Sequence, residues 1–452
     1  MKKNITLIAG GTGLSTLLSE LLKLDQNVSI ILNAYDDGKS TGKIKEFFNI
    51  LGPSDVSKNL LNSIYSDSSE SLKNCKEFLE YRFQSLKNPK LIWSKFKNQQ
   101  FDFDYLSKLY QNLSVYYQKK FSLYIKNFVN EVIKYNGEKK LGFFDLSDFA
   151  MRNIIFVGAY FQEGDYQKTI NKLGELLKIK NKILINNDKN LWLMAQTEKG
   201  SILDRESAIV NEKLDEKIDK IFLLKNKDRQ KVINEKDLNK KIDLIKHYNC
   251  EIELKKNCID NLLNANYIVF APSTFDSSIF PTLISKSFCE SYLKSNAIKI
   301  FVSNLVRERT TYPLSFTLNK IETIFRDQTK KDIQISKIFD YVIINQHGFI
   351  SYAKKENHYI PVDENELKKM QVNLVKKSFE SEKDFTKHNG RLLAKTILSL
   401  EKPKNAALEK NILYQKISSP LISYDSQVRI NKLIEKQIDK NDFSKHLSLV
   451  AQ

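Results

Sequence analysis

The stretch NITLIAGGTGLSTLLSELLKLDQNVSIILNAYDDGKSTG, residues 4–42, decides the fold. Ile5 to Ile8 is a short apolar run that ends on Gly10-Gly11-Thr12-Gly13. Leu14, Leu17, Leu18, Leu21 and Leu22 then recur at helical spacing, and Val28 to Asn33 forms a second apolar run. The succession of strand, glycine turn, helix and strand opens a parallel α/β sheet. Glycines at the hand-over let the backbone approach a ligand, and the unpaired N–H groups and dipole of the helix start favour an anion. Gly10, Gly11, Thr12 and Gly13 are therefore expected to face a phosphate, with Ser15 reaching the same ligand. The second strand runs into Asp36-Asp37-Gly38-Lys39-Ser40-Thr41-Gly42. Asp36 and Asp37 are candidates for Mg²⁺ or a ligand hydroxyl, because Mg²⁺ takes one or two carboxylates plus phosphate oxygens. Ser40, Thr41, Gly42 and Lys43 would complete the phosphate shell.

The rest of the chain is ordinary for a globular protein, with 41% hydrophobic and 28% charged residues. No apolar run approaches the roughly 18–20 residues that cross a bilayer. The apolar N-terminal segment breaks at Gly10-Gly11, so it reads as a core strand in a cytoplasmic protein, without a membrane partner. Cys75, Cys250, Cys258 and Cys289 are scattered and form no C-x-x-C pair, and the histidines show no zinc spacing. The net charge of +18 comes from lysines spread along the chain, with only nine arginines. Nucleic-acid recognition relies on arginine for bidentate contacts, so no nucleic-acid partner is expected.

Along the chain, Lys43 to Ile50 reads as a short helix, and Asp55 is placed to cap a helix starting near Val56. Between Ser66 and Lys140 aromatics crowd in at helical spacing, which suggests an inserted helical cap. Arg152-Asn153 opens a buried helix, with Asn153 as a cap or ligand contact. Lys182 to Asn186 and Leu191 to Gln196 are expected to pair around an Asn187-Asp188-Lys189-Asn190 turn. Tyr267 to Phe270 is a buried strand that leads into Ala271-Pro272-Ser273-Thr274, repeating the N-terminal grammar. Ser273 and Thr274 would then face the same crevice, as would Asn304 after the Ile298 to Val302 strand. The expected fold class is α/β, a Rossmann-like doubly wound, mostly parallel sheet with an inserted helical subdomain. Residues 1–65 carry the first part of the core with the phosphate-binding turn, 66–140 the aromatic insert, 141–400 the rest of the core, and 401–452 a helical tail. The tail would serve as a simple extension, a lid or the arm of a homodimer.

The central motif is neither a Walker loop, since no lysine follows Gly13, nor a full dinucleotide fingerprint, since the third glycine is missing. Ala9-Gly10-Gly11-Thr12-Gly13-Leu14-Ser15 with Asp36-Asp37-Gly38-Lys39-Ser40-Thr41-Gly42-Lys43 instead resembles the 2-phospho-L-lactate transferase family (CofD) and its gluconeogenesis-factor branch (YvcK). Gly52-Pro53-Ser54-Asp55 with Asn59 is similar to the family's P-G-D-x-x-N turn. Arg152-Asn153-Ile154-Ile155 is similar to its G-N-L-L helix start, and Arg205-Glu206-Ser207 to its G-E-S element. Ile268 to Pro281 resembles its I-V-L-G-P-G-S-L-Y-T-S-x-x-P loop, and Phe301 to Asn304 its strand ending in C-N. The chain departs from the pattern at Lys39, Arg152, Ala271 and Ser273, each in place of a glycine, and in the wider spacing of Asp55 and Asn59.

The resemblance implies a pocket for a nucleoside-diphosphate derivative. In the transferase branch the donor is GDP-linked, the acceptor is an alcohol and Mg²⁺ assists, with Asp36 or Asp37 as the base. The other branch implies a UDP-sugar binder that regulates carbon or cell-wall metabolism. The D-D-G-K-S-T-G loop is closer to this second branch. Asp55, Asn59, Asn153, Ser273, Thr274 and Asn304 are carried over as wall residues of the pocket.

Overall fold

The apolar runs become strands wherever they are buried on both faces. A computed structural model describes residues 2–11, 13–64, 68–84, 88–101, 105–139, 144–211, 216–306, 312–346 and 360–403. Thr12 and the tail beyond 403 lie outside the described residues. The main sheet consists of β1 (Asn4–Ile8), β2 (Asn27–Leu32), β3 (Lys182–Ile185), β7 (Tyr267–Phe270), β8 (Ile298–Val302), β9 (Tyr341–Asn345) and β10 (Leu374–Lys377). Its order is β10-β9-β8-β7-β1-β2-β3, and every neighbouring pair is parallel. Progress in one direction from β1 to β3, then in the other from β7 to β10, puts the topological switch point between β1 and β7. Ligands of open α/β sheets bind beside the carboxyl ends of the strands at such a point.

Alternation along each strand divides the interior in two. Ile5, Leu7 and Ala9 join one core with Val28, Ile30 and Leu32, while Ile8 and Ile31 join the other. The first core is covered by α1 (Ser15–Lys23), α3 (Ser54–Asn62), Met151–Glu163, Tyr166–Leu176 and Gly390–Ser399. The second is covered by Lys256–Leu263, Lys286–Lys294 and Leu314–Thr329, and by a smaller antiparallel sheet. That sheet has the order β5-β4-β6, from β4 (Trp192–Thr197), β5 (Ile202–Leu203) and β6 (Ile218–Leu224). A short hairpin, β11 (Glu380–Ser381) with β12 (Asp384–His388), precedes the last described helix.

The doubly wound reading holds, and the aromatics of the insert are largely interior. Phe78, Phe83, Phe96, Phe121 and Phe128 are fully buried and continuous with the first core. Tyr105 and Tyr116 are exposed.

Two local readings are corrected. Lys182 to Asn186 and Leu191 to Gln196 do not pair: β3 adds parallel to β2, while β4 joins the smaller sheet. The Asn187–Asn190 turn imitates a hairpin, but Leu184 and Ile185 are satisfied by the main sheet. The helix after the acidic loop, α2 (Lys39–Phe48), starts four residues earlier than expected. Asp36 Oδ1 accepts the Gly38 N–H at 2.8 Å, and Gly38 is extended, so the helix begins directly behind that turn.

Candidate functional site

The glycine turn, the acidic loop and the loop after β7 meet at the switch point. Gly10 N–H donates to Ser273 Oγ at 2.9 Å, and Asn304 Nδ2 donates to the Ser273 carbonyl at 3.0 Å, so strands β1, β7 and β8 are tied at their carboxyl ends. Asn59 Nδ2 donates to the carbonyls of Gly10 (3.0 Å) and Asp55 (2.8 Å), and Asn62 Nδ2 to that of Gly11 (2.9 Å). Two of the turn's glycines leave little room for a β-carbon. A β-carbon on Gly13 would collide with the Pro272 backbone carbonyl, and one on Gly11 would stand 2.5 Å from Asp55 Oδ1 and 3.0 Å from Lys58 Cδ. Neither α1 nor α2 has a capping side-chain bond or an acidic residue in its first turn. Both helix starts, near the glycine turn and the acidic loop, therefore keep N–H groups uncapped by side chains.

Asp55 was expected as a helix cap. It lies inside the first turn of α3, whose N-cap is Pro53, and makes no capping bond. Its carboxylate turns instead to Gly11 and Lys58. Asp36, Asp37, Asp55 and Glu206 thus form an acidic wall. Glu206 shares a hydrogen bond with Asp36, and its backbone N–H donates to Asp37 Oδ1 at 2.9 Å. Asp37 Oδ2 is buried without a partner. Burial, with the charge of Asp36, lifts Asp55 to about 7, and burial lifts Asp37 to about 6 against the pull of Lys45. Glu206 is raised well above the carboxylate range by burial and by Asp36. Positive groups answer this wall. Burial lowers Lys45 to about 8 and Arg152 to about 10, and also depresses Lys58.

The other expected wall residues divide. Thr41 Oγ1 approaches Asp36 Oδ2 at 3.4 Å, and Gly42 packs on the Asp37 carbonyl, so both support the acidic loop. Ser40 accepts from Asn153 Nδ2 at 3.1 Å, and Asn153 accepts from Ser57 at 2.7 Å. These buried side chains lock α2 to α3 and have little left for a ligand. Lys43 pairs with Asp145 at 3.1 Å and with the Ser147 carbonyl, away from the crevice. Ser15 lines a separate polar groove with Thr16, Ser19, Asn389 and Arg391. Thr274 is half-buried at the start of a π-helical turn, Phe275–Ile279, which presses Ser278 onto Gly10. Glu206 was visible only inside a motif, and Lys45, Lys58, Asn62 and Arg229 were missed. The signal for Lys45 lies in α2 itself: Thr41, Ile44, Lys45 and Phe48 follow i, i+3, i+4, i+7, and the stripe is buried.

Among the described residues no three His, Cys, Asp or Glu side chains converge as a metal cage. The unpartnered Asp37 oxygen and its neighbour Asp36 fit Mg²⁺ in the other way open to that ion, sharing it with ligand phosphate. No helix among the described residues is long and apolar enough to cross a membrane.

A sequence model of the family described as 2-phospho-L-lactate transferase CofD matches residues 5–380. A putative gluconeogenesis factor of Clostridium acetobutylicum is 23% identical over 446 residues, covering 96% of this chain and 76% of its own. The gluconeogenesis factor of Halalkalibacterium halodurans is 23% identical over 407 residues, 90% of this chain and 98% of its own. The crystal structure of a UPF0052-family protein from Bacillus halodurans shares the fold, with a TM-score of 0.60 at 21% identity over 88% of this chain and 99% of that one. The chain belongs to the 2-phospho-L-lactate transferase CofD family, on its gluconeogenesis-factor branch.

Proposed function

We propose that the chain binds a nucleoside-diphosphate derivative of the UDP-sugar type together with Mg²⁺, and acts as a regulatory factor in carbon or cell-wall metabolism. The observation that carries this reading is the meeting of the glycine turn and the acidic wall at one switch point. Uncapped helix starts favour the diphosphate, whereas Asp36, Asp37 and Asp55 would repel it. A divalent cation reconciles the two, and Asp36 and Asp37 would hold it. Bound there, Mg²⁺ would neutralise charge on the diphosphate. The family branch supports a regulatory role, since the relatives are named gluconeogenesis factors.

A second reading, a transferase of the 2-phospho-L-lactate type, is favoured by one observation. Asp37 is held near 6, within reach of the range where a carboxylate works as a proton acceptor at neutral pH. In that reading an acceptor hydroxyl oxygen bonds to phosphorus, Asp37 takes its proton, and the nucleoside monophosphate leaves with the bonding electrons.

A thermal-shift series with UDP-N-acetylglucosamine, UDP-glucose, UDP and GDP, each with and without Mg²⁺, tests the first reading. Ligand at about 100 times its dissociation constant stabilises by about 2.7 kcal/mol. Mg²⁺-dependent shifts with UDP-sugars, lost in Gly11→Asp, are expected. Nucleoside monophosphate released from a GDP-linked donor only when an alcohol acceptor is present would select the second reading. No shift with any nucleotide would remove both.

A further inference from the structure

Behind the acidic loop lies a buried arrangement that no motif assigned. Lys45 is fully buried on α2, and its ammonium donates to the backbone carbonyls of Tyr35 (3.1 Å) and Leu191 (2.9 Å). It also lies 4.6 Å from the ring centre of Trp192, the first residue of β4. Arg229, 3% exposed on the helix Asn226–Asn234, lies over the same ring at 4.4 Å. Arg229 Nε donates to the Asp204 carbonyl at 2.9 Å. Two residues on, the backbone N–H of Glu206 holds Asp37 Oδ1. Contacts and two short stretches of chain, 204–206 and 35–37, close a ring through Asp37, Glu206, Asp204, Arg229, Trp192, Lys45 and Tyr35.

Placing two cations over one indole in a dry interior is costly unless negative charge is near. Among the described residues no carboxylate touches the Lys45 ammonium directly; its hydrogen bonds go to neutral carbonyls. Its charge therefore acts on the acidic loop through space, and the loop is left with the Asp37 Oδ2 atom uncommitted.

We propose that Lys45 and Arg229 are positioning residues of the ligand site. Stacked over Trp192, they clamp the smaller sheet to the acidic loop and hold Asp37 with one oxygen on Glu206 N–H and the other free for the ligand's cation. This rests on the nucleotide-site reading given above for what the free oxygen meets, but not for the clamp itself. Two consequences follow from the geometry. The clamp needs a cation of reach similar to lysine at position 45, and Trp192 reports on the loop.

The test uses Trp93→Phe as background, which leaves Trp192 as the chain's one tryptophan. Lys45→Arg, Lys45→Met and Arg229→Met are compared by circular dichroism and thermal melting, by hydrogen exchange of the Gly38 and Thr41 amides, and by titration with UDP-N-acetylglucosamine and Mg²⁺. Folded Lys45→Met and Arg229→Met are expected to exchange those amides at least tenfold faster and to bind at least tenfold more weakly. Lys45→Arg should stay within about threefold in both, and the Trp192 emission that responds to ligand in the background protein should respond little in the Met variants. Unchanged exchange in a folded Lys45→Met overturns the clamp whether or not nucleotide binds. Faster exchange together with no nucleotide binding even in the background protein keeps the clamp and rejects the ligand reading. If Lys45→Met does not fold, loss of protection in Arg229→Met, or its absence, decides.

Discussion

Asp55 shows what burying a carboxylate beside another one does to stability. Its native value of about 7 stands above the ordinary 3.8 of the unfolded chain. Between those values the native state keeps a proton that the unfolded state has released. Stability therefore falls as pH rises through this window and stays lower above it. Asp55→Asn is expected to raise the melting temperature of the ligand-free protein at pH 7.5 by roughly 1–2 °C for about 1 kcal/mol gained, a smaller shift than in a domain of 150–250 residues because the entropy of unfolding grows with chain length. The gain should shrink at pH 5, where wild-type Asp55 is itself protonated, and nucleotide affinity should fall throughout. A melt in which the variant is equally destabilised at both pH values would contradict the buried charge. The glycines separate packing from binding in the same way. On Gly13 a methyl meets the Pro272 backbone, which cannot rotate away, whereas on Gly11 it meets the Asp55 and Lys58 side chains, which can. Urea unfolding should give Gly13→Ala a loss of about 1–3 kcal/mol. Gly11→Ala should lose little stability and most of its ligand affinity.

At the scale of elements, close backbone approach fixes how the helical insert docks. Gly158 in Met151–Glu163 faces the Tyr124 carbonyl of the long helix Val115–Lys139, with no room for a β-carbon. Gly158→Ala should cost about 1–3 kcal/mol in urea unfolding followed by Trp93 emission, because two helix backbones must part. An unchanged midpoint would mean that the insert docks otherwise. Elements like β7 and β8 were legible because a parallel strand buried on both faces shows itself as an apolar run of strand length. The pairing of residues 182–186 with 191–196 was misread because turn chemistry is local, while the main sheet claims β3 through β2, some 150 residues away in sequence. At the switch point, Gly10, Gly11, Gly13 and Asp36-Asp37 could be singled out as candidates because each motif is contiguous in sequence. The grouping of Lys45 with Arg229 and Glu206 could not be assembled from sequence, since the latter two lie roughly 160–180 residues from Lys45 in a chain already rich in charge. Lys43, expected in the phosphate shell, pairs with Asp145 in this structure.

For the chain as a whole the net charge is +18, whereas the wall at the switch point is acidic. On the proposed reading a diffuse positive field would favour the approach of a nucleotide, but within about a Debye length, roughly 8 Å at physiological salt, the local carboxylates dominate. A cation held as proposed by Asp36 and Asp37 would need Asp37 ionised and would gain from an ionised Asp55 in the same wall, so their values of about 6 and about 7 would set the pH dependence. Above pH 7 both are charged and no proton is displaced. Below that, each protonated group must lose its proton for the cation to enter, which weakens binding by up to tenfold per pH unit per group. Calorimetric titration of UDP-N-acetylglucosamine with Mg²⁺ should therefore show affinity falling at least tenfold from pH 7.5 to pH 5.5. Without Mg²⁺ the order should reverse, because protonating the wall removes its repulsion of the diphosphate. A metal-dependent affinity that rises on acidification would place the cation away from Asp37, and the acidic wall would then be a structural network under a different binding surface.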